Sequence, residues 1–214
     1  MPDRPYHHGN LTEALMTAGF EAARTGGPSA IALRVLAKEV GVSPTAAYRH
    51  FASLHHLVAA VSQRAREQMA TRMAEAMAQV DHPDPSERAW RRLAANGRAY
   101  VRFALDEPSL FATAFAPCLA LPPREDDPDA WGLLVGALED LANLGELAPG
   151  TRATAPFVAW AAVHGAAEIL GRAAINSAMV PPGEPPMPGD QPGPIDPDAA
   201  FDAVRDALRR ALGA

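Results

Sequence analysis

Hydrophobic positions in this chain recur at steps of three and four, the period of one helix face, and strand-like alternation is scarce. The pattern predicts an all-α protein. Leu11, Leu15, Ala18 and Ala22 form a first stripe, on a helix that starts after an Asn10 cap and ends near Thr25, before Gly26-Gly27-Pro28. Leu33, Leu36, Ala37 and Val40 predict a short second helix stopped by Gly41. Ser43 reads as the cap of a third, with Pro44 in its first position and His50 near its end. Helical spacing resumes from Leu54 to about Val80. Ser86 reads as the cap of a helix through Leu105, and a short helix follows Pro108 to about Phe115. Ala130–Asn143 and the strongly apolar Ala155–Met179 come next. Val180–Pro197 holds eight prolines and reads as an extended connector. Asp198 then reads as the cap of an amphipathic helix over Ala199–Leu212.

Composition changes this picture little; charge changes it more. In 214 residues, 48% are hydrophobic, enough for a buried core. The lone cysteine, Cys118, cannot form an internal disulfide. No apolar run reaches the roughly 20 residues of a membrane span, and the polar Met1–Asn10 does not read as a signal peptide, so a soluble, cytoplasmic protein is expected. The net charge of -6 argues against general coating of nucleic acid. The charge is unevenly spread, however. Residues 1–66 carry seven Lys and Arg against four acids, a net of +3, while the remaining 148 carry 12 bases and 21 acids, a net of -9. Two regions of opposite sign suggest two tasks.

The most informative stretch is Leu36–Phe51. Two short helices joined by a tight turn at Gly41 form a helix-turn-helix, whose second helix can enter the major groove. Leu36, Ala37, Val40, Val42, Ala47 and Phe51 supply its apolar seam, leaving Thr45, Ala46, Tyr48, Arg49 and His50 outward. The alternative is a helical hairpin inside a larger core. The spacing Leu-Ala-x-x-x-Gly-Val-Ser, four residues, then Tyr-x-His-Phe resembles the TetR family of transcriptional regulators. The resemblance covers about residues 8–60. It implies an N-terminal three-helix DNA-binding domain (1–57) and a C-terminal helical domain (58–214) that binds a small molecule and dimerises. It also implies DNA contacts by Arg34, Ser43, Pro44, Thr45, Ala46, Tyr48, Arg49 and His50. Arg34 suits bidentate contact with guanine, whereas Tyr48 and His50 suit phosphate. Two departures stand out. Leu54, followed by His55-His56, replaces the family's basic residue, and Ala32 replaces its usual helix cap. Arg4 is read either as a minor-groove arm or as a disordered tail.

In the acidic half, Trp160-Ala161-Ala162-Val163-His164-Gly165 resembles the signature of a TetR subgroup with a WHG-type C-terminal domain, as does His7-His8-Gly9-Asn10. Trp160 and His164, four apart, share a helix face. His164 reads either as a ligand contact or as a satisfied core histidine. Phe103, Phe111, Phe115, Trp131, Trp160 and His164 are candidate cavity residues, although a helical core also contains such side chains. The small residues of 155–179 and the last helix are expected at a two-fold dimer interface, which implies a palindromic operator on double-stranded DNA. His7-His8 and His55-His56 do not make a ready chelate, since neighbours on a helix point about 100° apart. No metal and no cofactor are expected. No nucleophile–base set, paired carboxylates or phosphate-binding loop supports an enzyme. The expectation is a ligand-responsive repressor; an all-α enzyme and a helical adaptor that no longer binds DNA are the rival readings.

Overall fold

A computed structural model describes residues 8–117, 129–179 and 196–214, without the side chains of 8–10 and 173–179. Arg4, His7, Cys118 and most of the 180–197 connector lie outside the described residues. Within them the chain is helical, and the extended pairing is an isolated bridge between Leu147 and Gly213. The elements are α1 (His8–Gly26), α2 (Leu33–Glu39), α3 (Pro44–His50), α4 (Leu54–Ala78), α5 (Pro85–Asp106), α6 (Pro108–Ala114), α7 (Ala130–Asn143), α8 (Ala155–Met179) and α9 (Pro197–Leu212), with a 3-10 turn over Pro28–Ala30. None of the described helices is long and apolar enough to cross a membrane.

The helices fall where the periodicity places them, and the corrections concern their starts. α1 begins at His8, so Asn10 lies inside it rather than capping it. A cap is worth only about 1 kcal/mol, and no proline follows Pro5 to stop the helix extending backward. α5 is capped by Asp84, whose side chain accepts from the Glu87 N–H at 2.9 Å, not by Ser86. α9 is capped by Asp196, which accepts from the Asp198 N–H at 3.0 Å, not by Asp198. Both are Asp-Pro starts. Proline lacks an N–H and suits the first helical position, which leaves the aspartate before it as the cap.

The chain divides into two compact units, Met1–Gln68 with Ser109–Asp127, and Met69–Pro108 with Pro128–Ala214. In the first, Leu11, Leu15, Leu33, Leu36, Ala37, Ala47, Leu57 and Val61 are buried. Gly19 on α1 permits close approach there: a Cβ at this position would stand 3.1 Å from Val61 Cγ2 and 3.6 Å from both Leu36 Cδ1 and Leu57 Cδ1. α6 joins this unit through Ser62 and Arg66 of α4. The Ser62 hydroxyl and the Arg66 guanidinium donate to the Ala114 carbonyl at 3.0 and 2.8 Å, satisfying an acceptor at the end of α6.

In the second unit, α5 packs against α7, α8 and α9. Trp90, Leu93, Leu134, Leu138, Leu141, Ala159 and Leu212 form its core with Met77. The C-terminus is fastened by backbone bonds from Ala148 N–H to Leu212 O and from Ala214 N–H to Glu146 O, at 2.8 and 3.0 Å. Trp90 Nε1–H donates to Glu146 at 3.0 Å, and Arg209 covers the Trp90 ring.

Candidate functional site

The α2–α3 turn is built by its backbone. Val42 N–H donates to Ala37 O at 2.8 Å and Gly41 N–H to Lys38 O at 3.2 Å, the paired bonds of a Schellman motif. Gly41 sits at φ +77°, where a side chain would be strained. The Ser43 hydroxyl then accepts from the Ala46 N–H at 3.2 Å, starting α3 with Pro44 in its first turn. α2 begins at Ala32 without a side-chain cap, as its sequence implies.

This geometry sets the face of α3. Ala47 and the following Phe51 turn inward. Ser43, Pro44, Thr45, Tyr48 and Arg49 are exposed and Ala46 is half-buried; Arg34 is exposed on α2. His50 is half-buried and shares a 2.8 Å hydrogen bond, through Nδ1, with Thr12 Oγ1 of α1. Its ring is therefore tied back to the unit, a role that Thr12, 38 residues away, did not signal in the sequence. Leu54 is exposed at the start of α4, and Ser53 caps that helix by accepting from the His56 N–H at 3.3 Å.

The charges on this unit are sorted. Arg24 pairs with Glu21 at 3.0 Å and Arg64 with Glu13 at 2.9 Å. Arg66 is spent on Ser62, Gln63 and the Ala114 carbonyl. Arg34, Lys38 and Arg49, by contrast, have no carboxylate within ion-pair distance among the described residues. Among the described residues of this unit, Arg66 meets only neutral oxygens, and the bases of the helix-turn-helix meet no carboxylate.

The second unit brings Trp160 and His164 together. Their rings stack at 5.0 Å between centroids and 16° between planes, and His164 Nδ1 shares a 2.7 Å hydrogen bond with the Tyr100 hydroxyl of α5. Burial pushes the Tyr100 phenol well above its usual range, so it stays a neutral O–H able to donate to Nδ1. Tyr100 was missed in the sequence; its only signal is a polar-tipped aromatic on the buried face of α5. Phe103 is fully buried with Arg72 over its ring, while Trp131 is 47% exposed at the start of α7. Phe111 and Phe115 belong to the first unit and pack on each other at 5.0 Å.

A groove of about 500 Å³ between α5 and α9 is lined by none of these aromatics; its one aromatic is Trp90. Its arginines are already engaged: Arg91 and Arg209 with Glu87, Arg98 with Asp198 and Asp202, and Arg205 with Asp202 and Asp206. It is a fastening seam. Among the described residues no three His, Cys, Asp or Glu side chains gather as a metal site would require.

Residues 93–183 match a family model described as the tetracyclin repressor-like C-terminal domain. Over those residues the chain is tetracyclin repressor-like. A solved structure from Rhodococcus sp. RHA1, described as a protein with unknown function, shares 24% identity over 99% of this chain and 100% of its own, with a TM-score of 0.72. A TetR family transcription regulator from Marinobacter aquaeolei VT8 shares 15% over 96% of each chain, with a TM-score of 0.59. A TetR variant from Acinetobacter baumannii AYE, solved in complex with minocycline, shares 18% over 92% of this chain and 93% of its own, with a TM-score of 0.54. No curated protein sequence matches the chain. The likeness to these structures is one of fold, and Trp160 and His164 lie inside the matched domain.

Proposed function

We propose that this TetR-like chain is a dimeric, sequence-specific DNA-binding repressor, released from its operator by a small molecule bound through its C-terminal domain. The observation that carries the DNA reading is the sorting of charge on the first unit. Among the described residues of the unit, Arg34, Lys38 and Arg49 have no carboxylate partner while Arg24, Arg64 and Arg66 are engaged, and Thr45, Tyr48 and Arg49 are exposed on α3. An exposed cationic face on a helix-turn-helix suits a polyanion. Ser43, Pro44, Ala46 and His50 complete the proposed contact set, with His50 held in place by Thr12.

The dimer reading rests on α8. Phe157, Ala161, Gly165 and Ile169 follow at four-residue steps, and Phe157, Val158 and Ile169 are 65%, 39% and 45% exposed. Among the described residues nothing lies within 4 Å of where a Cβ on Gly165 would be, so the space beside it is open. Ala159 and Ala167, by contrast, are buried within the chain and are not available to a second copy. A second α8 crossing this stripe about a two-fold axis would cover it. Two recognition helices would then meet a palindromic operator on double-stranded DNA.

For the effector, Trp160 and His164 are the proposed contacts, with Phe103 and Trp131 of the same unit as further candidates. The effector acts only through its differential affinity for DNA-competent and DNA-incompetent states. The test is fluorescence anisotropy of the full chain on DNA from its own upstream region. Saturable binding that weakens steeply with salt is expected, with a log–log slope of about -0.9 per neutralised phosphate. Equal affinity for unrelated duplexes at moderate salt overturns the reading.

A further inference from the structure

We infer that the outward face of α3 reads thymine through its C5-methyl group and guanine through arginine, so that each half-site is specified by T·A and G·C pairs carrying those two bases. This rests on the DNA-binding reading above. The side chains on that face decide it. Pro44, Thr45, Tyr48 and Arg49 are exposed and Ala46 is half-buried, while Ala47 is turned into the core.

Base edges in the major groove are distinguished by matching chemistry. Asn or Gln grips adenine with a paired donor and acceptor, and Asp or Glu accepts from the cytosine amine. α3 contains none of these four residue types. Arginine donates twice to guanine, a role open to Arg49 and to Arg34 on α2. The remaining side chains at the start of α3 are a proline ring, a threonine and an alanine methyl. The threonine hydroxyl can bond to several bases and so discriminates little; its methyl, and that of Ala46, match the one apolar group in the groove, the thymine methyl. The ring nitrogen Nδ1 of His50 is already hydrogen-bonded to Thr12.

The experiment selects binding duplexes from a random library with the full chain, then replaces each thymine of the selected half-site by uracil, which removes only the methyl. At one or two positions affinity should fall about fourfold, the value of one buried methyl-sized group. Thr45→Ser and Ala46→Gly should each erase the thymine–uracil difference at one position and keep it at the others. That ratio is taken within one protein, so any loss of helix stability cancels. A selected sequence without thymine in the half-site overturns the inference, as does uniform tolerance of uracil; in both cases DNA recognition itself stands. Failure to select any sequence overturns the DNA-binding reading and the inference with it.

Discussion

α3 and α8 each present side chains that their own chain leaves uncovered, and they present opposite chemistry. The face of α3 is polar and cationic, with Thr45, Tyr48 and Arg49 outward. The stripe on α8 is apolar, with Phe157 and Ile169 outward. An exposed arginine costs nothing in water, so the α3 face is stable without a partner. Phe157 and Ile169 gain by leaving water, so the α8 face is stable only weakly until something apolar covers it. On the proposed reading, one surface suits a reversible, salt-sensitive partner and the other a lasting one.

The largest effect is expected on α8. Ile169→Asp leaves the isolated chain almost unchanged, because the side chain is exposed there, but buries an unpaired carboxylate in the proposed dimer. Such burial costs several kcal/mol, so dimer affinity should fall by about a hundredfold or more. Sedimentation velocity over a concentration series checks it. An unchanged dimer places the interface elsewhere; loss of the dimer with loss of operator binding ties the apolar face to the cationic one.

Next come two substitutions on the first unit. Arg34→Ala should lose about 1–3 kcal/mol at one guanine and relax preference there, as expected for a bidentate base contact. Tyr48→Phe should weaken all sites alike by a smaller amount, because a phosphate contact positions the helix without reading sequence. Binding to a panel of single-position operator variants separates them. Equal losses across the panel for both variants contradict the division of roles.

The helices were legible in the sequence because the apolar period and the Gly and Pro breaks are local signals. The helix-turn-helix was legible because Gly41, Ser43 and Pro44 fix a turn, a cap and a first turn within four residues. The starts of α5 and α9 were misplaced for one reason: Ser86 and Asp198 are good caps, but proline at the first helical position assigns that role to Asp84 and Asp196. What the sequence hid was side-chain pairing across distance. Thr12 with His50, Ser62 and Arg66 with the Ala114 carbonyl, and Tyr100 with His164 join residues 38 to 64 positions apart. No periodicity reports such pairs, since each partner reads alone as an ordinary polar residue. The spacing did place Trp160 and His164 on one face, and the rings stack.

Tyr100→Phe tests what that stack is for. It removes the hydroxyl from His164 Nδ1 and leaves the ring volume in place. A loss of about 1 kcal/mol, or about 2–4 °C in melting temperature, is expected for one hydrogen bond in a chain of this size. Operator affinity should not change, because neither residue belongs to the proposed DNA-contacting set. A drop in operator affinity at full folding would show that the second unit's interior already biases DNA binding without effector.

The smallest effect concerns how α9 is fastened. Glu87 of α5 accepts from Arg209 of α9 at 2.9 Å and from Arg91 at 3.1 Å. The Arg209 bond first, and Arg91 second, hold its carboxyl below the ordinary 4.5. A carboxylate with a lowered folded-state pKa contributes stability above its unfolded value, and that contribution is lost as the pH falls through the folded one. The Glu87 contribution is therefore complete near neutrality and fades below pH 4.5. Glu87→Gln should lower the melting temperature at pH 7 by no more than about 2–4 °C, since partly exposed ion pairs are worth little. The gap from the native chain should narrow as the pH falls below 4.5. A gap that persists unchanged in acid would mean that Glu87 acts through packing and not through charge. In that case the seam between α5 and α9 would rest on Phe201, Leu212 and the Trp90–Arg209 stack.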